Sequence, residues 1–345
     1  MDPARPPGSQ AGPAPEPRVF GRDTVSIVRI RNGRIDLAVE EAIDLLGGIE
    51  TVARGKERIM LKPNLVADNP DCTTKPQVVE TLARLMQRAG KEVLIGEGSA
   101  AAGGFNFKDE VIYRTRNREL LDGLQQQVFD TLGYSELSRS LKVPLVNLHS
   151  GDMVDVPLPG GHVFDHLTLH RSLTEVDLLC SVPMMKTHVL ATVTLAMKNV
   201  IGLYPGTVYY SVRSWLHDRA AEAGSPGIAY EIVDMVRANR MGLSVVDAST
   251  AMEGDGPAGG PLVDMGLIVA GTSPLATDLV AADLMGIAAA EVPAFACAQQ
   301  AGLGPADLAS IEVRGLKPEQ ARRPFAKPKV IAWTSINQSW GVQEL

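Results

Sequence analysis

Cysteine is scarce in this chain, which has three: Cys72, Cys180 and Cys297. They are scattered, odd in number and form no CxxC pair. A disulfide framework, a zinc ribbon and an intrinsic iron–sulfur cluster all need closely spaced thiolates, so this pattern argues against each of them. Free, dispersed cysteines suit a reducing compartment, and the sequence therefore predicts a cytoplasmic protein.

Long apolar runs and an excess of basic residues are also missing. No run approaches the roughly 18 apolar residues of a membrane span, and residues 1–20 are rich in proline, glycine and alanine without the apolar segment of a signal peptide. We interpret residues 1–20 as a disordered tail and expect no membrane partner. The formal net charge of -7 argues against nucleic-acid binding. A homo-oligomer is left open.

Several catalytic signatures are absent as well: GxxxxGK[ST], GxSxG and HExxH do not occur. One stretch, residues 254–259, matches GxGxxG literally. A strand rather than a helix is predicted after it, and Pro257 lacks the amide that a phosphate would need. We therefore expect no dinucleotide site there.

What the chain does contain is a regular alternation of strand-like and helix-like segments. This alternation predicts an α/β fold with a mainly parallel twisted sheet and helices on both faces, arranged as two α/β subdomains. Residues 153–169 predict a small antiparallel β excursion around a Pro-Gly-Gly turn. The first predicted elements are the strand 24–30, the helix 37–52, the strand 58–62, the helix 76–89 and the strand 92–96.

The predicted domain organisation follows from the same pattern. Residues 21–310 form the α/β domain, with a subdomain break near residues 150–175. Residues 205–226 contain Pro-Gly breaks and aromatic residues, and we interpret them as a lid-like insertion. Residues 311–345 mix short β runs with prolines and predict a C-terminal β extension.

Polar side chains follow several of the predicted strands. Lys62 and Asn64 follow one strand, Lys186 and His188 another, and Asp247 a third. The carboxyl ends of parallel strands meet at one edge of a sheet, so these groups are expected to share a cleft. The alternative for each is a solvated side chain at a strand end.

Three lysines form one physical unit in this interpretation: Lys62, Lys186 and Lys198. Clustered lysines lower one another's pKa, and a bound anion removes that repulsion. Such a cluster binds a carboxylate or phosphate, or supplies a neutral amine as a base. The alternative for Lys198 is a side chain that extends along an amphipathic helix to reach solvent.

The segment after Lys186 predicts a helix that runs to Val200 and carries Lys198 and Asn199. Thr187 is placed to cap this helix, whose N-terminus favours anions. Together these residues predict a site for a small anionic substrate.

A second constellation is acidic: Asp247, Glu253 and Asp255 lie within nine residues, separated by small residues. Three carboxylates so close can bind magnesium or another divalent cation, or act as an acid/base pair. The alternative is a Gly-Pro turn with solvated acids.

These motifs together resemble the domain of unknown function 362 family. The resemblance covers roughly residues 25–290 and rests on motifs that occur in the family's order. Some members of the family carry a ferredoxin-like segment with a four-iron cluster, for which this chain lacks the cysteines. The resemblance implies no assigned activity. The motifs are Met60–Leu65, Thr73–Pro76, Ile95–Ser99, Val182–His188, Lys198–Gly202, Val246–Pro257 and Ala276–Asp278.

The residues themselves favour an enzyme that acts on a small carboxylate or phosphate by acid/base proton transfer, as isomerases, racemases and lyases do. Lys186, His188 and Asp247 are its predicted catalytic residues. Lys62, Asn64, Thr187, Lys198 and Asn199 are its predicted substrate-binding residues. The alternatives are a non-catalytic anion- or metal-binding protein and a redox enzyme with an external cofactor, for which Cys180 beside the cleft is the supporting feature.

Overall fold

The computed structural model describes residues 23–101, 107–108, 111–339 and 341–345. The tail predicted over residues 1–20 lies outside the described residues. In the part of the chain that is described, no helix is both long enough and apolar enough to cross a membrane.

A central mixed sheet organises the fold. Its strand order is β15-β1-β14-β12-β9-β2-β3-β6, with β10, β11 and β13 attached beside β12. The strands are β1 (Thr24–Arg29), β2 (Arg58–Pro63), β3 (Glu92–Glu97), β4 (Phe107–Lys108), β5 (Val111–Arg114), β6 (Leu145–Asn147), β7 (Met153–Pro157), β8 (His166–His170), β9 (Leu178–Val182), β10 (Met184–His188), β11 (Thr192–Thr194), β12 (Met241–Met252), β13 (Leu262–Val263), β14 (Leu267–Gly271), β15 (Glu312–Gly315) and β16 (Gly341–Glu344).

The half of the sheet from β12 to β6 is parallel, whereas β14 runs antiparallel to both β12 and β1. Two smaller sheets lie apart from it. β7 and β8 form the antiparallel pair predicted from residues 153–169, and β16 pairs parallel with β5, which pairs with β4.

Helices cover both faces of the sheet, as the α/β pattern predicted. On β2, Ile59 and Leu61 belong to one hydrophobic core and Met60, between them, to the other. The helices are α1 (Ile35–Leu45), α2 (Ile49–Val52), α3 (Pro76–Arg88), α4 (Arg118–Thr131), α5 (Tyr134–Leu141), α6 (Ser172–Glu175), α7 (Ala196–Asn199), α8 (Gly206–Tyr209), α9 (Ser214–Glu222), α10 (Ala229–Ala238), α11 (Pro274–Leu284), α12 (Pro293–Gln300), α13 (Pro318–Ala321) and α14 (Trp333–Ser339).

One predicted helix, over residues 37–52, is in fact two. α1 ends at Leu45 and α2 begins at Ile49, because Gly47 and Gly48 adopt φ values of 104° and 79°. A left-handed backbone of this kind ends a helix and is open mainly to glycine.

The prediction for the segment after Lys186 was also wrong. It forms the antiparallel hairpin β10–β11, in which Thr187 pairs with Val193, and the helix α7 is a single turn. β-branched residues favour the extended conformation, and they recur in this hairpin at Thr187, Val193 and Thr194. Thr187 therefore caps no helix, and its hydroxyl donates to the carbonyl of Gly254 at 2.7 Å.

Candidate functional site

A buried ion pair lies at the carboxyl ends of β2 and β3. Lys62 Nζ donates to Glu97 Oε1 at 2.6 Å, and both side chains are at most 2 % exposed. Glu97 also accepts from the backbone amides of Leu65 and Gly98, each at 2.8 Å. Burial lowers the pKa of Lys62, and the Glu97 carboxylate partly offsets this shift. A Cβ on Gly202 would lie 2.6 Å from Lys62 Nζ, so a larger residue there would displace the ion pair.

Asn199, at the end of α7, connects this pair to the neighbouring strands. Its Nδ2 donates to the carbonyl of Lys62 and to Ser181 Oγ, both at 3.0 Å. Its Oδ1 accepts from Lys62 Nζ at 3.1 Å and from Asn64 Nδ2 at 3.2 Å. A carbonyl only accepts, so this network fixes the orientation of both amides. The network attaches α7 to β2 and β9.

Asp278, on α11, holds the other end of α7. Its buried carboxylate accepts from the backbone amides of Ala196 at 2.7 Å and Met197 at 2.8 Å. Two free amides at a helix N-terminus are thereby satisfied. Consequently, the backbone that carries Lys198 and Asn199 is fixed at both ends.

Lys198 differs from the other two lysines. Among the described residues, nothing forms a hydrogen bond or ion pair with its ammonium group, and the residue is partly exposed. Burial lowers its pKa to about 7, and Lys186, Lys62 and Arg213 add like-charge repulsion. Near neutral pH, Lys198 therefore exchanges between its charged and neutral forms.

His188, at the end of β10, is buried and neutral. Burial holds its pKa well below the ordinary value, with further contributions from Lys198, Lys186 and His217. Its Nδ1 lies 3.0 Å from the amide nitrogen of Leu190, which donates to it. The proton of the neutral ring is therefore on Nε2.

These groups surround a cavity of about 240 Å³. The predicted site residues on its wall are Lys62, Asn64, His188, Lys198 and Asn199, together with Glu97. The volume is below the roughly 300–1,000 Å³ typical of sites for drug-sized ligands, and it suits a small metabolite.

The cavity wall also contains residues that sequence reasoning missed, among them Arg213, His217 and Trp333. Burial lowers the pKa of Arg213 to about 10, so it remains charged, and it donates to backbone carbonyls that include Ser99 O at 3.0 Å. Arg213 and His217 belong to the segment predicted as a lid-like insertion, and a buried cation among aromatic residues was the available signal. Trp333 comes from the predicted C-terminal extension.

Unlike Lys62 and Lys198, Lys186 does not line the cavity. Its Nζ donates to the carbonyls of Cys72 at 2.6 Å and Pro257 at 3.1 Å. Burial lowers its pKa to about 8. Pro257 does line the cavity, so Lys186 contacts the cavity wall indirectly, through its hydrogen bond to the Pro257 carbonyl.

Asp247 likewise lies away from the cavity wall. Its carboxylate accepts from the amide of Lys75 at 2.9 Å and from the hydroxyl of Ser249 at 2.5 Å. Burial raises the pKa of Asp247, and these hydrogen bonds oppose the shift. Asp247 belongs to β12, and its carboxylate contacts the residue that precedes α3.

The other two acids of the acidic loop bind the C-terminal segment. Glu253 accepts from the amide of Ala326 at 2.8 Å, and Asp255 from that of Lys329 at 2.7 Å. Within the described ranges, no group of three or more His, Cys, Asp or Glu side chains is arranged to hold a metal ion. The structure therefore does not assemble Asp247, Glu253 and Asp255 into one cluster.

Comparison with known proteins identifies the family. The chain belongs to the family described as Domain of unknown function (DUF362), whose sequence profile matches residues 59–283. This match confirms the resemblance drawn from the motifs. A thylakoid-associated protein of Synechocystis sp. is 27% identical over 290 residues, which are 82% of this chain and 80% of that protein.

Two solved structures are more distantly similar. The lactate racemase apoprotein from Thermoanaerobacterium thermosaccharolyticum has a TM-score of 0.39 and 15% identity, over 65% of this chain and 50% of that one. A structural-genomics target from Thermotoga maritima has a TM-score of 0.36 and 15% identity, over 61% of this chain and 50% of that one. The chain thus spans about half the length of both.

Proposed function

We propose that the protein is an enzyme that binds a small carboxylate or phosphate ester in the 240 Å³ cavity and catalyses acid/base proton transfer of the isomerase, racemase or lyase type. The observation that carries the proposal is the ammonium group of Lys198. Lys198 lines a partly open cavity, and its ammonium group has no anionic partner among the described residues. The neutral imidazole of His188 lines the same cavity.

The charges of the wall favour an anion. Lys62 and Glu97 neutralise each other, whereas Arg213 and protonated Lys198 leave the wall net positive. An anion beside Lys198 stabilises its charged form and offsets the repulsion from the other cations. We therefore assign Lys198 as the residue that binds the anionic group, with Asn199 and Lys62 fixing its position.

His188 supplies the hydrogen-bond donor. His188 lines the same cavity, and no described residue accepts a hydrogen bond from its Nε2–H. A neutral donor placed where negative charge develops stabilises an enolate-like transition state. In this proposal His188 donates to the substrate oxygen, and Lys186 acts indirectly by supporting Pro257.

Two alternative functions, a non-catalytic binding protein and a redox enzyme, differ from this one in what they require of the cavity. A non-catalytic binding protein would use the same cationic wall without proton transfer. The redox alternative rested on Cys180, which is fully buried and absent from the cavity wall, and burial raises the pKa of its thiol. The structure thus offers the redox alternative no support at this cysteine.

The test compares binding with hydrogen exchange. Isothermal titration calorimetry with malonate and inorganic phosphate measures anion binding by the parent protein, Lys198→Met and the exposed control Lys317→Met. A panel of small hydroxy- and ketocarboxylates in D2O, followed by NMR, measures loss of the C–H signal next to the carboxyl or carbonyl group. We expect Lys198→Met to lose both anion binding and hydrogen exchange, and Lys317→Met to keep both.

Equal anion affinity in Lys198→Met and the parent would overturn the assignment of the cavity. Anion binding without exchange of any panel member would favour the non-catalytic alternative. The variant His188→Gln separates the two steps. It should bind malonate nearly as well as the parent and exchange hydrogen about 10²–10⁴-fold more slowly.

A further inference from the structure

A second histidine of the cavity wall is held by a buried carboxylate. His217, on α9, places Nδ1 2.9 Å from Oε1 of Glu231 on α10. The two side chains are 5 % and 0 % exposed. Apart from His217, the only side chain in the described ranges that donates to this carboxylate is Ser225, at 3.4 Å. With so few partners, the buried Glu231 carboxylate relies mainly on His217 to satisfy its hydrogen-bonding capacity.

The partner determines where the proton of His217 lies. A carboxylate only accepts hydrogen bonds, so Nδ1 of His217 carries the hydrogen and Nε2 has a free lone pair. No described residue donates to that Nε2, and His217 lines the cavity. Its Nε2 is therefore available to accept a proton from a bound substrate, and Glu231 holds the ring in this orientation.

His188 has the opposite arrangement. Its Nδ1 accepts from the amide of Leu190, so its Nε2 carries the hydrogen. Both histidines line the same cavity. One cavity thus holds a histidine prepared to donate and a histidine prepared to accept.

We infer that His217, oriented by Glu231, is the general base of the site, and that the substrate is a small carboxylate with an acidic C–H next to a carboxyl or carbonyl group. This inference rests on the proposed function and names its proton acceptor. His217 is the catalytic residue, and Glu231 is a positioning residue that acts through it.

The proposed step balances without a cofactor. The C–H bond breaks, and its proton moves to Nε2 of His217. Its electron pair enters the adjoining carbonyl system, whose oxygen gains negative charge and accepts a hydrogen bond from Nε2–H of His188. Return of the proton from His217 to a neighbouring carbon completes an isomerisation, whereas its return to the same carbon gives only the exchange with solvent that the D2O experiment detects.

The tautomers can be tested on the unmodified protein. Long-range 1H–15N NMR of protein labelled with 15N-histidine distinguishes Nδ1–H from Nε2–H rings, and His→Gln variants assign the signals. We expect Nδ1–H for His217 and Nε2–H for His188. An Nε2–H tautomer at His217 would overturn the inference, whatever the substrate.

Hydrogen exchange tests the chemical role. With the same carboxylate panel in D2O, His217→Gln should reduce exchange about 10²–10⁴-fold while malonate affinity changes little. The exposed control His166→Gln should match the parent. Unchanged exchange in His217→Gln would overturn the inference.

Glu231→Gln guards against a variant that merely fails to fold. It keeps an acceptor for Nδ1–H and removes the charge, so it should reduce exchange at least about tenfold while malonate affinity stays close to that of the parent. A purely structural role would weaken malonate binding and exchange together and would overturn the inference.

The two proposals fail differently. If Lys198→Met loses malonate binding while His217→Gln keeps full exchange, the base assignment alone is wrong. If Lys198→Met keeps malonate binding, the proposed function is wrong, and the tautomer measurement still decides the geometry of the His217–Glu231 pair.

Discussion

Anion affinity should depend on pH through Lys198. Its pKa is lowered from 10.5 to about 7 in the free protein, and a bound anion should raise this pKa because it stabilises the charged form. Binding is then strongest below pH 7, where Lys198 is already protonated. It weakens above pH 7, because each binding event must first supply a proton to the amine.

The size of the effect follows from the same pKa. If the bound complex keeps Lys198 charged up to about pH 10, affinity should fall about tenfold for each pH unit above 7, or about 100-fold between pH 6 and 9. Near pH 7, about half a proton should be taken up for each anion bound. Malonate is the suitable probe, because phosphate itself titrates in this range.

Calorimetry in buffers of different ionisation enthalpy measures both the affinity and the proton uptake. Lys198→Met should bind weakly with an affinity that is flat across the same range, which assigns the titration to this residue. A parent protein whose malonate affinity is constant from pH 6 to 9 would refute the reasoning, as would proton release at pH 7.

Three further predictions concern the charged residues around the cavity. Lys186→Met should destabilise the fold by roughly 1–3 kcal/mol for each of the two carbonyls left without a donor, and urea unfolding as stable as that of the parent would contradict the observed bonds. Glu97→Gln should lower the free energy of unfolding by about 3–5 kcal/mol, since it leaves the Lys62 ammonium buried without its counter-charge. An unfolding free energy equal to that of the exposed control Glu57→Gln in the same urea assay would argue against the ion pair. If the acidic loop binds a divalent cation, EDTA should lower the melting temperature of the parent but not of the Glu253→Ala/Asp255→Ala variant, and an EDTA-insensitive parent would count against the metal.

Sequence patterns predicted that Lys62 lies at the carboxyl end of a strand of the parallel sheet, and Lys62 is the second-last residue of β2. Alternation and apolar runs indicate where strands and helices occur, and both are local features of the sequence. The same reasoning could not separate Lys186 from Lys198. Their difference depends on which carbonyls lie within reach, and Pro257 reaches Lys186 from 71 residues away.

Two cavity residues were not predicted for the same physical reason. Arg213 and His217 lie in a segment with few periodic signals, and their roles come from partners elsewhere in the chain. The hairpin β10–β11 was mistaken for the start of a helix because Lys186 and His188 interrupt the β-branched pattern. Polar residues in a buried strand are tolerated here because each has a specific hydrogen-bond partner.

The hydrogen bonds of Asn199 have a consequence for folding kinetics. Its amide contacts Lys62 across 137 residues of sequence and Asn64 across 135. Contacts that close such long loops are generally made after local structure has formed, so this amide network should be absent from the folding transition state. Asn199→Ala should therefore accelerate unfolding and leave the folding rate nearly unchanged. The residues that shape the cavity would then govern how long the folded protein lasts rather than how quickly it forms.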